Sequence, residues 1–467
     1  MSDAITTTGA PRTRPGEVLF AVCCSLFLMP FMLSAVGVAL PVIGHDLGAS
    51  AVELGLIETV YVMSLSIFLL MMGRLGDIQG RRRIFRWGVG VFTIATTALW
   101  VATSVPLFLV LRVVQGMGAS MINASGLAMV VSVYPRESRG RALGIGAAAV
   151  YAGISCGPVL GGIITSAMGW RYIFLMAVPL GAVTWWVALT RLHDEWRDAR
   201  GEPFDIVGSA VYAVAIALLA LGAAWVENDH RAWWAVAGGV AGIALFLRIE
   251  SKRQHPLLDV QLLFSNATFA LGCLAACINY AATAGMMLFM SLYLQTVQGL
   301  APDEAGFMLV LQPLLQMVLS PYGGRLADRY APERVATVGM AASGAALILA
   351  SFLGQDSSLW HVALVQMLLG IGLGLFASPN TTSIMSSVEP RHLGLASGMT
   401  GTMRTLGMMV SMLAVTISFS LFMGGHPVSA ETVPPFLRSM RADLLVFGGL
   451  CFAGILLSAL RVRVAAR

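Results

Sequence analysis

Runs of mostly apolar residues follow one another along this chain, each cut off by a short cluster of Arg, Pro, Gly or Asp. A run of about 20 such residues is long enough to cross the hydrocarbon core of a bilayer as a helix. The runs begin near Val18, Glu53, Ile84, Pro106, Ala142, Tyr172, Val207, Trp233, Thr268, Glu304, Val335, Leu359, Leu393 and Asp443. They predict an all-α membrane protein of about fourteen spans, the seventh, eighth and eleventh short enough to leave twelve or thirteen open.

Composition agrees with the pattern. The chain is 57% hydrophobic and 11% charged, with a mean hydropathy of +0.80, where a soluble domain is roughly 25% charged. The net charge of +5 is a topology signal, because most of the 29 Lys and Arg fall in alternate connections such as Arg81–Arg83, Arg136–Arg141 and Arg248–Arg253. The intervening connections hold only Arg171, Arg231, Arg438 and Arg441. Basic residues are retained in cytoplasmic loops, so both termini are expected to be cytoplasmic. Nucleic-acid binding would need a basic patch on a soluble face, which the pattern does not provide.

The first run is too long for a cleaved signal. Cys23, Cys24, Cys156, Cys273, Cys277 and Cys451 all lie in apolar runs and suggest neither a disulfide framework nor a metal site. There is no phosphate-binding Gly-x-x-x-x-Gly-Lys loop and no soluble stretch large enough for catalytic machinery. An enzyme is excluded, and an ion gradient, with no cofactor, is the expected energy source.

Two stretches resemble each other. Gly73-Arg74-Leu75-Gly76-Asp77 and its continuation to Gly80-Arg81-Arg82 follow the second run; Gly324-Arg325-Leu326-Ala327-Asp328 follows the tenth. A signal repeated at corresponding positions indicates two related six-helix halves, as in many secondary transporters. The expected organisation is a cytoplasmic tail over residues 1–16, a first half over 17–195, a linker with two inserted helices over 196–262, and a second half over 263–467. The inserted helices either merely join the halves or serve assembly or lipid contact.

In the first stretch, Asp77 is crowded by Arg74, Arg81, Arg82, Arg83 and Arg86, so charge-assisted hydrogen bonds could latch neighbouring helices in one conformation. Gly73, Gly76 and Gly80 allow close approach and a tight turn. In the fifth run, Gly153, Gly157 and Gly161 recur on one face, where a second backbone can approach closely. Pro158 removes a helix hydrogen bond beside Gly161 and Gly162.

The first stretch resembles the signature between the second and third helices of the major facilitator superfamily. Leu111-Arg112-Val113-Val114-Gln115-Gly116-Met117-Gly118-Ala119 looks like that superfamily's fourth-helix motif, whose Arg is associated with proton coupling. Gly153-Ile154-Ser155-Cys156-Gly157-Pro158-Val159-Leu160-Gly161-Gly162 is similar to the motif of its antiporters, and GWRYIFLMAVPLG at 169–181 to the sixth helix of its 14-helix drug:proton antiporters. The resemblance implies a major facilitator fold, with two six-helix halves plus two extra central helices, and export in exchange for protons. Two features depart from the family. Where the first helix commonly carries an acid upstream of Ala39-Leu40-Pro41, this chain has Met32, followed by Ser34 and Gly37; in the tenth span, where some cation exporters carry an acid, it has Gln312 and Gln316.

Charge inside a span costs about 2.5–3.5 kcal/mol on insertion scales, which makes each instance a functional candidate. Glu58, Arg112 and Arg404 are the ones well inside the runs. Counting from the second and fourth runs' outer ends puts Glu58 and Arg112 about 8–9 Å deep at 1.5 Å per residue. If their faces agree they can meet, and a proton on Glu58 would then loosen the pair and govern an outer gate. The alternative is that Glu58 snorkels to the interface.

Candidate substrate contacts near mid-span are Asn123, Tyr151, Asn279, Tyr280, Gln312, Gln316, Asn380 and Arg404, each with an ordinary packing role as its alternative. Met286, Met287, Met290, Met399, Met403, Met408, Met409 and Met412 offer pliable walls. The leading expectation is a proton-coupled exporter of amphipathic or lipophilic compounds in a bacterial inner membrane, functional as a monomer among lipids. A proton symporter or uniporter of a metabolite, and a non-transporting sensor or lipid scrambling protein, stand as alternatives.

Overall fold

Helices form wherever the apolar runs lie. The computed structural model describes residues 13–197, 199, 201–225, 231–253, 256–258, 260, 266–388, 393–424 and 426–465. Of residues 136–141, 224, 328, 393–395, 397, 430 and 459–465 it describes the backbone alone. Most of the expected amino-terminal tail and the Asp328 side chain therefore lie outside the described residues.

The first half comprises α1 (Pro15–Leu47), α2 (Ala51–Gln79), α3 (Arg81–Trp100), α4 (Val105–Val133), α5 (Arg136–Ala167) and α6 (Arg171–Thr190). The insert is α7 (Ile206–Trp225) and α8 (Ala232–Glu250). The second half begins with α9 (Ala267–Thr283), α10 (Met286–Leu292) and a π turn over Tyr293–Val297. It continues with α11 (Pro302–Leu309), α12 (Leu311–Arg329), α13 (Pro332–Ala350), α14 (Leu359–Ser386), α15 (Leu393–Phe422) and α16 (Val433–Ala465).

Local chemistry sets the boundaries. α1 has no charged side chain between Glu17 and His45, and it ends where Gly48 turns left-handed at φ 64°. Two residues later Ser50 and Glu53 form a reciprocal capping box that starts α2. Thirteen spans among the described residues are long and apolar enough to cross a membrane by composition. The fourteenth is α3, whose opening turns carry Arg81, Arg82, Arg83 and Arg86, yet it packs against α4 and α6 inside the bundle. The fold is thus an all-α, 14-span membrane architecture. Two spans expected as continuous are broken: Ala267–Val297 at Thr283–Met286 and again by its π turn, and Pro302–Ala327 at Val310.

The halves repeat one another's packing. α1 lies on α5, α2 on α4 and α3 on α4 and α6; correspondingly α9 lies on α15, α12 on α14 and α13 on α14 and α16. Between halves, α5 meets α11 and α2 meets α15, a swapped pair as expected for two related units. α7 and α8 pack mainly on each other, and α7 leans on α2 and α15.

One end of the bundle, called here the arginine-rich end, carries the α2–α3 turn and both described chain ends; the other is the far end. Hydrogen bonds joining the halves gather toward the far end. The Ala51 N–H donates to His426 O (3.0 Å), Thr59 Oγ1 meets Thr416 Oγ1 (2.9 Å), Gln295 Nε2 donates to Val38 O (2.7 Å) and Ser166 Oγ donates to Asp303 Oδ1 (2.8 Å). Toward the arginine-rich end, a Cβ placed on Gly144 of α5, or on Gly398 or Gly401 of α15, would meet nothing within 4 Å. The halves are closed at the far end and open at the arginine-rich end.

Candidate functional site

The antiporter-like stretch of α5 forms much of the closure. A Cβ on Gly157 would strike Ser34 of α1, and one on Gly161 would lie 2.8 Å from Ala35 Cα. Gly153 is equally tight against the Phe27 carbonyl of α1. The adjoining face turns to the other half: Gly162 packs on Pro302 and Asp303, while Gly306 of α11 packs on the Pro158 carbonyl. The proline leaves a helix carbonyl without its usual donor, and glycine lets α11 close over it.

At the same closed end, Glu58 is only 3% exposed and Arg112 is fully buried. The interface-snorkelling alternative therefore does not describe Glu58 in this conformation. Arg112 stands level with it, as depth counting anticipated, since its Nε donates to Ile57 O (3.2 Å). The direct pairing does not form. Arg112 Nη1 donates to Gln115 Oε1 (2.8 Å), Gln115 Nε2 donates on to Thr96 Oγ1 (2.9 Å), and the guanidinium stacks 4.3 Å from the Tyr61 ring centre. Glu58 Oε1 has no hydrogen-bond partner and points the other way. A Cβ on Gly37 would sit 3.0 Å from that oxygen and 3.3 Å from Met287 Cγ of α10. Glu58 thus reaches the seam between the halves, beside the stretch of α1 where an acid is missing.

Below this seam the mid-span candidates divide. Tyr151 of α5 approaches Ser320 of α12 across the halves (3.4 Å). Tyr280 of α9 lies within electrostatic reach of both Tyr151 and the Arg404 guanidinium of α15. Tyr151, Tyr280 and Arg404 are all half-buried, about 16–22 Å along their helices from the arginine-rich end at 1.5 Å per residue. They form one cluster near the bilayer midplane, where the opening ends. Gln312 and Gln316 bond each other (3.2 Å). Asn380 ties α14 to α9 through Gly272 O (3.1 Å), Asn279 is buried with both amide atoms unpartnered, and Asn123 is half-buried in α4. Of the methionines, Met287, Met403 and Met408 are half-buried, and the other five lie in the core.

The first gating copy is clamped by the connection that follows α6. Arg74 pairs with Glu202, the Arg82 N–H donates to Glu195 Oε1 (2.9 Å), and the Arg81 N–H donates to Trp196 O (3.0 Å). Asp77 Oδ1 accepts from Arg81 Nη2 (2.8 Å). Gly80 adopts φ 122°, and any Cβ there would collide with Glu195. The second copy differs: Arg325 is exposed and lies over the Tyr322 ring (5.6 Å), while Gly324 approaches Ser378. The sequence pattern assigns the linker acids no role, so it misses this clamp.

It also missed Asp443. The last run was read as starting there, but α16 starts at Val433, placing Asp443 about 15 Å along the helix. The residue is 7% exposed, with Ser418 near it and its Oδ2 lacking a hydrogen-bond partner. Glu58 is therefore not the one carboxylate well inside a span. The double proline Pro434-Pro435 and Arg438 masked a helix start that Ser429 and Thr432 already cap.

The profile of the Major Facilitator Superfamily matches residues 22–269 and 272–467. The chain belongs to that superfamily. It is a secondary transporter and not an enzyme. Over 446 residues it is 26% identical to the riboflavin transporter RibZ of Clostridioides difficile, covering 96% of this chain and 97% of that one. It is 29% identical over 445 residues to the multidrug resistance protein Stp of Mycobacterium tuberculosis, covering 92% and 81%. The fold matches the crystal structure of a bacterial homologue of the lysosomal transporter Spinster with a TM-score of 0.68, at 16% identity and 98% coverage of both chains.

Proposed function

We propose that this chain is a proton-coupled exporter of amphipathic or lipophilic small molecules, working by alternating access in the cytoplasmic membrane of a bacterium. The excess of Arg at one end supports a cytoplasmic orientation for that end, on which reading the conformation described above is open inward. Similarity to a multidrug resistance protein supports the cargo class and the direction.

The observation that carries the reading is Glu58. A carboxylate without a hydrogen-bond partner is costly to bury, so closing the far end over it is easier once it holds a proton. When the far end opens, Glu58 at the seam meets outside water and can take up that proton. Closure then seals that proton at the dry seam, and its passage to the inside completes the cycle before the far end reopens. One charge crossing 100 mV supplies about 2.3 kcal/mol, enough to move cargo uphill.

Glu58→Gln keeps the size and removes the proton. In inside-out vesicles with an acid interior it is expected to abolish accumulation above the external concentration while leaving downhill exchange intact. Undiminished uphill accumulation would overturn the reading. Similarity to a riboflavin transporter across nearly the whole chain favours a second reading, a metabolite symporter or uniporter. Reversing the imposed pH gradient separates the two, since a symporter accumulates cargo with the proton and a uniporter ignores it.

A further inference from the structure

A cation stands about one to two turns along α15 from the open space at Gly401 and Gly398. Arg404 sits half-buried at mid-depth on α15, offers several fixed donors, and has the neutral phenol of Tyr280 beside it. Among the described residues it makes no ion pair. Among the described residues the buried carboxylates of the spans lie elsewhere: Glu58 is sealed at the far-end seam, Asp443 is packed toward Ser418, Glu333 at the start of α13 bonds Ser383, and Glu250 at the end of α8 accepts from the Leu258 N–H. Exposed Arg325 and Arg329 close α12 at the arginine-rich end, positive charge that draws anions and repels cations.

We propose that the cargo site takes an anionic aromatic amphiphile, its carboxylate, sulfonate or phosphate held by Arg404 with the Tyr280 and Tyr151 hydroxyls. This names the substrate class of the export reading above and rests on it for direction alone. A guanidinium matches the planar, bidentate demand of an oxyanion, while a phenol that already faces the guanidinium can donate to a second oxygen. The two tyrosines come from opposite halves, so an oxyanion between them reports occupancy to both. Half-buried Met403 and Met408 on the same helix as Arg404 supply adaptable apolar surface for the aromatic body. A cationic cargo entering the same opening would approach Arg404 with no carboxylate to receive it.

Two xanthene dyes of opposite charge, fluorescein and tetramethylrhodamine methyl ester, test the assignment by fluorescence polarisation on the purified full chain. Fluorescein is expected to bind at least about tenfold tighter than the cation, and Arg404→Gln to lose about tenfold or more of that affinity, as for a lost charge-assisted hydrogen bond. Arg404→Lys, which keeps the charge, should retain part of it, and Tyr280→Phe should weaken it a few fold. Equal or tighter binding of the cation overturns the assignment. So does binding of neither dye, or fluorescein binding that ignores Arg404→Gln in a protein with an unchanged thermal unfolding midpoint. Gradient-driven uptake is measured separately. Charge-selective binding without proton-driven uptake leaves the anion site standing and removes the exporter reading, whereas proton-driven uptake of the cation, indifferent to Arg404, does the reverse.

Discussion

Glu58 and Arg404 are both charges stranded in apolar helices, and in a list of residues they look alike. Their surroundings are opposite. Glu58 of α2 is shut against α1 and α10, with one oxygen unpartnered and a Cβ on Gly37 beside it a tight fit. Arg404 stands at the head of an opening with Tyr280 for company. The dry site suits a proton, which is small and neutralises what it binds; the open site suits a cargo that brings its own charge. A single helix, α15, serves both. It carries Arg404 and, about 18 Å further along at 1.5 Å per residue, Thr416, which bonds Thr59 next to Glu58. Occupancy at one site can thus bias packing at the other through a rigid element with two arrangements.

The sharpest way to break the contrast is to keep the dry site from closing. In Gly306→Ala the new methyl would collide with the Pro158 carbonyl at the seal between α11 and α5. Overpacking of this kind costs about 1–3 kcal/mol, roughly a factor of five to a hundred in population. Spin labels on α5 and α11 just beyond the far end should report a longer separation, and Gly162→Ala, against Pro302, should do the same. A distance distribution unchanged in both variants would remove the seal from its role. Dye binding at Arg404 should weaken only in proportion to the lost inward-open population.

Much of this was legible in the residues. Hydropathy and Arg placement give the spans and the repeat, because the bilayer rewards apolar length and leaves no other way to satisfy the backbone. The four-residue glycine spacing of α5 anticipated its close approach to α1. What stayed hidden depends on direction and on partners distant in sequence. Depth counting set Glu58 level with Arg112, but a helix face cannot be read from depth, and Glu58 turned to Gly37 instead. The breaks at Thr283–Met286 and Val310 fall at Gly285 and three residues before Pro313, breaker signals that the length of the apolar runs concealed. Glu195 and Glu202 carry no local signal of their role because their partners, Arg82 and Arg74, lie more than a hundred residues earlier.

A gentler intervention tests whether α15 couples the two sites. Thr416→Val keeps the shape and removes one hydroxyl from the Thr59–Thr416 bond, while Thr59 retains Gly55 O (2.8 Å) and Met412 O (3.2 Å) as acceptors. The net loss is about 0.5–1.5 kcal/mol. Proton-driven accumulation should fall by a few fold with fluorescein affinity unchanged, and Thr416→Ser should restore it. If affinity and accumulation fell together, the bond would belong to general stability and the coupling argument would fail.

The smallest effect is expected at the arginine-rich end, where the two gating copies differ. The first is held by Glu202 and Glu195, so the open side of the bundle is clamped on one half; Arg325 of the second makes no ion pair among the described residues. A partly exposed ion pair such as Arg74–Glu202 is worth about 0–1 kcal/mol and is weakened by salt. Glu202→Gln should therefore favour closure of the opening by up to about fivefold at low ionic strength, read as a shorter label-to-label distance between α5 and α12 at that end, with the difference vanishing in high salt. Arg74→Gln should shift it the same way, and the double variant should fall short of the sum of the two, since both remove the shared interaction. Additive effects would mean that each side chain works through a different partner, and the clamp would then have to be assigned to Glu195 and Arg82 instead.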